Sequence, residues 1–144
     1  MILADEAATA QAGAMLAKAA RAGDVITLSG NLGAGKTTLA RGFLAALGHE
    51  GEVPRPSFAI VQPYEALSPA IWHVDLYRID DPAELEELGL DAAADAVLLV
   101  EWPDRAGEAA WPQALALTLE VAPDGARRLT AIVPPAWEGR WPPR

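Results

Sequence analysis

The chain has 144 residues, 51% of them hydrophobic, with a net charge of −9, a sequence pI near 4.6 and no cysteine. The acidic balance opposes unaided binding to RNA or DNA, which rests on Lys/Arg neutralising phosphate, and the missing cysteines exclude disulfides and thiolate metal sites. No apolar run nears the roughly 18 residues of a membrane span, and Met1-Ile2-Leu3-Ala4-Asp5-Glu6 has no basic stretch before an apolar one, so a cytoplasmic location without membrane contact is expected.

The length predicts one domain, assigned to residues 1–133, followed by a Pro/Trp-rich C-terminal tail over 134–144. Asp5 to Ala22 reads as a helix. Asp5 is its N-cap, Ala12, Met15, Leu16 and Ala19 recur at helical spacing, and Gly23 stops it. Glu6 and Thr9 fall in its first turn, where an acid favours the helix dipole and a solvated end is the plain reading.

Asp24 to Ser29 is a short strand rich in β-branched residues. It runs into Gly30-Asn31-Leu32-Gly33-Ala34-Gly35-Lys36-Thr37, which matches G-x-x-x-x-G-K-[ST]. A helix follows from Thr38 to Leu47, with Leu39, Phe43, Leu44 and Leu47 on one face. Glycines let backbone N–H groups turn toward a polyphosphate, and the helix aims its positive end at the same charge. Lys18 and Lys36 are the only lysines in an arginine-biased chain. A compact ammonium at this place suits a point charge reaching the β- and γ-phosphates.

His49 to Glu52 is a polar loop, and Val53-Pro54-Arg55-Pro56-Ser57-Phe58 is a stiff segment. Phe58 to Tyr64 and Ala70 to Tyr77 predict an antiparallel hairpin, because the turn at 65–69 is too short for a parallel crossover. In the second strand Ile71, His73, Asp75 and Tyr77 share one face. Asp75 is then either solvent-facing or part of a site. His73 reads as a packing or hydrogen-bonding residue, since no second histidine stands near it to chelate a metal.

Asp81 to Gly89 is a helix with Asp81 as cap, Pro82 first and Gly89 as stop. Ala96 to Val100 is wholly apolar, as in a strand buried on both faces, and it ends in Glu101-Trp102-Pro103. An acid there lies at the ligand edge of an open α/β sheet, where such acids help hold Mg²⁺ with the loop hydroxyl. Glu101 and Thr37 are the candidate pair. Ala114 to Val121 and Arg127 to Val133 flank the Pro123-Asp124-Gly125 turn and close the chain as a β segment. The pattern leaves open whether the tail is loose or a docking strip. The fold class is α/β: a P-loop NTPase-like three-layer sandwich with a mixed central sheet, an antiparallel hairpin after the P-loop helix and a C-terminal β segment.

Taken together, the phosphate loop, the Pro56-Ser57-Phe58 segment, His73-Val74-Asp75-Leu76-Tyr77-Arg78 and Leu99-Val100-Glu101-Trp102-Pro103 resemble the TsaE (YjeE) family. The resemblance runs from about Asp5 to Trp102. It implies a small bacterial ATPase of tRNA threonylcarbamoyladenosine synthesis that works with TsaB and TsaD and meets tRNA only through them. Carried onto this chain, Asn31, Leu32, Gly33, Ala34, Gly35, Lys36, Thr37 and Thr38 line the phosphates of ATP. Thr37 and Glu101 hold Mg²⁺, and Asp75 orients or activates water, directly or through the metal's waters. With Lys36 these acids form the catalytic set. Glu6 and Thr9 lie near the base, Ser57 is on a switch-like loop, and Trp102 flanks the nucleotide or a partner surface. The family's switch segment reads Ser-Pro-Thr before an aromatic, whereas here Arg55-Pro56-Ser57 precedes Phe58.

Two other readings fit the loop alone: a small-molecule kinase, and a nucleotide-dependent switch without turnover. The chain has no arginine-rich insertion of the kind a kinase lid needs. It also lacks an N-K-x-D element for guanine.

Overall fold

The computed structural model describes residues 1–31, 35–50, 61–90, 95–106 and 110–141, without the side chains of residues 82, 86 and 87. Seven strands form one sheet: β1 (Ile2–Leu3), β2 (Val25–Ser29), β3 (Val61–Tyr64), β4 (Ile71–Asp75), β5 (Val97–Glu101), β6 (Leu115–Val121) and β7 (Arg127–Ile132). Their order is β1-β7-β6-β2-β5-β4-β3. The four central strands run parallel, and β3, β7 and β1 run antiparallel to their neighbours.

The apolar run Val97 to Val100 forms β5, buried along its whole length between β2 and β4. A strand with a sheet neighbour on each side and cover on both faces has no position for a polar side chain except at its end, where Glu101 stands. β3 and β4 form the expected hairpin, with Tyr64 opposite Ile71.

Helices α1 (Glu6–Ala19) and α2 (Lys36–Ala46) cover one face. Their shared core includes Leu16, Leu39, Phe43, Leu44, Ile26, Leu28, Leu99 and Leu117. Two glycines set how closely α1 and α2 approach. A Cβ built on Gly13 would lie 2.1 Å from the Leu39 carbonyl oxygen, and one on Gly42 would lie 2.0 Å from that of Ala10. The helices therefore meet backbone to backbone at these two points. The other sheet face carries Val74, Leu76, Leu98 and Val100 and is covered by short 3-10 helices, Pro82–Leu88 and Pro103–Ala106, with Leu85, Leu88 and Trp111.

Several boundaries differ from the sequence reading. α1 stops at Ala19, not Ala22, because the Arg21 N–H is taken by the Asp24 carboxylate at 2.6 Å, which closes a turn in place of another helical bond. The segment capped by Asp81 is a 3-10 helix, with the Ala83 N–H on Asp81 Oδ1 at 3.0 Å. β1 was not foreseen, since two residues carry no periodicity.

Residues 134–141 pack against the helical side of the core. Trp137 and Trp141 are 1% and 6% exposed, around a 3-10 turn at Pro135–Trp137. Between them Arg140 donates to the Ala19 carbonyl from Nη2 at 2.7 Å, pairs with the Asp24 carboxylate and lies 4.0 Å over the Trp137 ring. A cation on the last carbonyls of α1 is favoured by the helix dipole, and it ties the chain end to the α1–β2 turn.

Candidate functional site

The phosphate-loop motif bridges β2 and α2 at the carboxyl edge of the parallel strands. Leu32, Gly33 and Ala34 lie outside the described residues, as does Ser57. Gly35 is the N-cap of α2 at φ 103°, a left-handed backbone that favours glycine, and among the described residues no side chain caps the helix. The first N–H groups of α2 have no side-chain acceptor from the cap, as an anion site at a helix start requires. Thr37 and Thr38 are half-buried in this first turn, and Asn31 is exposed just after Gly30.

Lys36 is the buried cation of the site at 5% exposure. Its Nζ donates to the Gly30 carbonyl at 2.6 Å and lies 3.6 Å from the centre of the Trp102 ring. Burial lowers its pKa, while the charges of Glu101, Asp75 and Asp104 act in the opposite direction. Asp104, on the turn after β5, was not singled out from sequence.

Those acids are placed by the sheet. Asp75 and Glu101 end adjacent parallel strands and stand opposite each other in register. Alternation puts both on the face shared by Ile71, His73, Val97 and Leu99, so the solvent-facing alternative for this face does not hold at Ile71 and His73, which are fully buried. Asp75 is half-buried, and its Oδ1 accepts the Tyr77 N–H at 2.9 Å. Burial raises its pKa. The Tyr77 N–H and the Lys36 charge oppose this, and the Glu101 charge adds to it. Glu101 is 4% exposed, and its Oε2 lies 2.6 Å from His73 Nε2.

Immediately after Glu101 the chain takes a left-handed step. Trp102 has φ 60°, unusual for a residue with a Cβ and worth about 1–3 kcal/mol of strain. Its N–H donates to the Leu28 carbonyl at 3.2 Å, which ties it to β2. The indole lies over Lys36 and meets the Tyr77 ring at 4.9 Å, and Arg105 lies 5.8 Å over Tyr77. Trp102 thus flanks the phosphate-loop lysine directly.

Thr9 approaches the loop from α1. A Cβ on Gly35 would lie 3.5 Å from the Thr9 methyl and 3.7 Å from Arg127 Nε. Thr9 is buried, and its hydroxyl donates to the Asp5 carbonyl at 3.2 Å. Glu6, exposed, lies one residue beyond the Asp5 cap. Arg127, on β7 and bonded to the Gly125 carbonyl at 2.8 Å, is a site neighbour missed by sequence reasoning. No local signal marks it, because only the pairing of distant strands brings it to the loop.

A phosphate-loop motif between a buried parallel strand and a helix, with two carboxylates at the same sheet edge, defines the P-loop NTPase fold. The crystal structure of YdiB from Bacillus subtilis superposes with a TM-score of 0.78 at 33% identity, covering 97% of this chain and 88% of that one. Residues 3–129 match the family model for Threonylcarbamoyl adenosine biosynthesis protein TsaE, so the chain belongs to the TsaE family of threonylcarbamoyladenosine biosynthesis. It is 40% identical over 110 residues to the tRNA threonylcarbamoyladenosine biosynthesis protein TsaE of Haemophilus influenzae, covering 75% of this chain and 69% of that one. The TsaE of Streptomyces coelicolor is 48% identical over 62% of this chain and 64% of its own, and that of Rickettsia felis is 33% identical over 92% and 78%.

Proposed function

We propose that this chain binds and hydrolyses ATP with Mg²⁺ to support formation of threonylcarbamoyladenosine on tRNA, acting with TsaB-like and TsaD-like proteins. The observation that carries the reading is the meeting of Lys36, Asp75 and Glu101 at one sheet edge beside the start of α2. Lys36 exchanges the Gly30 carbonyl for phosphate oxygens. The N–H groups at the start of α2 and the loop hold the same phosphates.

The donor chemistry fits Mg²⁺. Thr37, Glu101 and Asp75 offer only oxygen, and among the described residues no three His, Cys, Asp or Glu side chains form a closed cage. Mg²⁺ is commonly held by one or two carboxylates with phosphates and water, so a sparse set suits it. Thr37 and Glu101 hold the ion in this proposal, and when bound it neutralises charge on the transferring phosphoryl group. Asp75, whose pKa is raised by burial, takes a hydrogen bond from the attacking water and aligns it. Asn31, Thr38 and the residues at 32–34 line the phosphates. Thr9 and Glu6 flank the base, Trp102 closes the lysine side, and Ser57 contributes a hydroxyl from the switch-like loop.

Among the described residues no helix is long and apolar enough to cross a membrane. The net charge of −9 supports contact with tRNA through partners and not directly. The catalytic set is small for an enzyme acting alone, so slow turnover that rises on partner binding is expected. ATP hydrolysis by the isolated chain, measured with and without TsaB-like and TsaD-like proteins, tests this. Full turnover alone and no gain from partners would defeat the coupling.

A further inference from the structure

His73 has no part in the chemistry assigned above, yet it is fully buried beside it. It is the third residue of β4, paired with Leu99 and two residues before Asp75. Ile71 and Leu99 on its face are fully buried as well. A histidine in such surroundings loses water at both ring nitrogens, so each needs an account. Nε2 makes a 2.6 Å hydrogen bond with Glu101 Oε2, and Nδ1 has no hydrogen-bond partner among the described residues.

Those two facts assign the tautomer. A proton on Nδ1 would bury an unpaired donor, and a bare Nε2 would face a carboxylate oxygen with no hydrogen between them. One proton on Nε2, donated to Glu101, satisfies the stronger demand and leaves only an unpaired acceptor. The ring has no rotational freedom left in a packed strand interior. Glu101 is anchored too: its backbone carbonyl accepts the Leu76 N–H at 3.1 Å. Both ends of the hydrogen bond therefore rest on paired strands, and the bond engages Oε2 and not Oε1.

We propose that His73 is a positioning residue that holds the Glu101 carboxylate in the orientation that receives the divalent cation. The inference rests on the reading of Glu101 as a metal-holding residue. Hydrogen bonds behind a metal-binding side chain commonly raise metal affinity about 10–100-fold. They act on metal affinity and leave phosphate gripping by the loop untouched. A histidine that merely filled space would be replaceable by an apolar ring.

Calorimetric titration with ADP, in EDTA and at stepped Mg²⁺ concentrations, separates the two. His73→Phe is expected to bind ADP in EDTA within about twofold of the native chain, while its Mg²⁺ midpoint rises about tenfold or more. His73→Gln, which keeps an amide donor, should recover most of the loss. His73→Leu serves if the larger ring prevents folding. Adding His73→Phe to Glu101→Ala should change the Mg²⁺ midpoint no further. An unchanged midpoint in the apolar variants beside a shifted one in Glu101→Ala overturns the positioning role alone. An equal loss with and without Mg²⁺ overturns it in favour of packing. An unshifted midpoint in Glu101→Ala removes the metal reading itself, and the positioning role with it.

Discussion

Asp75 and Glu101 stand directly opposite each other at the ends of two parallel strands, on the side of the sheet that faces Lys36. Burial is the largest cause of the raised pKa of Asp75, and the Glu101 charge beside it adds to the shift. The arrangement is held by the register of a fully buried strand, so the acids cannot drift apart without unpairing β4 from β5.

The raised pKa of Asp75 has a definite sign for stability. The folded chain binds this proton more tightly than the unfolded chain, whose carboxyl titrates near 3.8. Protonation at Asp75 therefore favours folding at low pH, and that contribution is lost as pH rises through the raised value. Asp75→Asn removes the loss. Its Tm relative to the native chain should climb as pH goes from about 4 to about 7. ATP hydrolysis should fall by about a hundredfold or more in the same variant, as expected for a lost water-aligning group. Thermal scans across pH, paired with phosphate release, check both.

Gly13 and Gly42 give a prediction opposite to helix propensity. Alanine normally stabilises a helix interior over glycine by about 1 kcal/mol. Here a methyl would meet a backbone carbonyl oxygen at 2.1 Å or 2.0 Å, and neither oxygen can swing away. Each Gly→Ala change should instead cost about 1–3 kcal/mol, the usual range for overpacking, or more. Denaturant unfolding of the single variants measures this.

The chain end should matter to folding. Trp137→Ala empties a site that is 1% exposed within the main core and is expected to cost about 3–5 kcal/mol. Arg140→Ala leaves the Ala19 carbonyl and the Asp24 carboxylate without that donor, for a loss of about 1–3 kcal/mol. Equilibrium unfolding of both variants checks the order: Trp137 first, Arg140 second.

Much of this was legible because it is local. The strand pattern, the glycine motif and the helix pattern stand next to one another in the sequence, and the apolar run before Glu101 announces a buried strand. The sequence pattern runs the second hairpin strand on to Tyr77 and pairs Glu101 with Thr37, so the facing of Asp75 and Glu101 comes from the strand end and register of the fold. What escaped was long-range. Arg127 reaches Gly35, and His73 meets Glu101, only because of strand order and register. The two core tryptophans near the end are flanked by prolines, so they form no periodic element for a pattern to catch.

The central claim is that the grip on ATP and the Glu101 metal position serve tRNA modification. The most direct measurement is threonylcarbamoyladenosine formed on tRNA in a reconstitution with TsaB-like and TsaD-like proteins and either the native chain, Lys36→Ala or Glu101→Ala. The account predicts loss of modified tRNA in both variants, with folding confirmed and all partners present. Native levels of modification with either variant would contradict it.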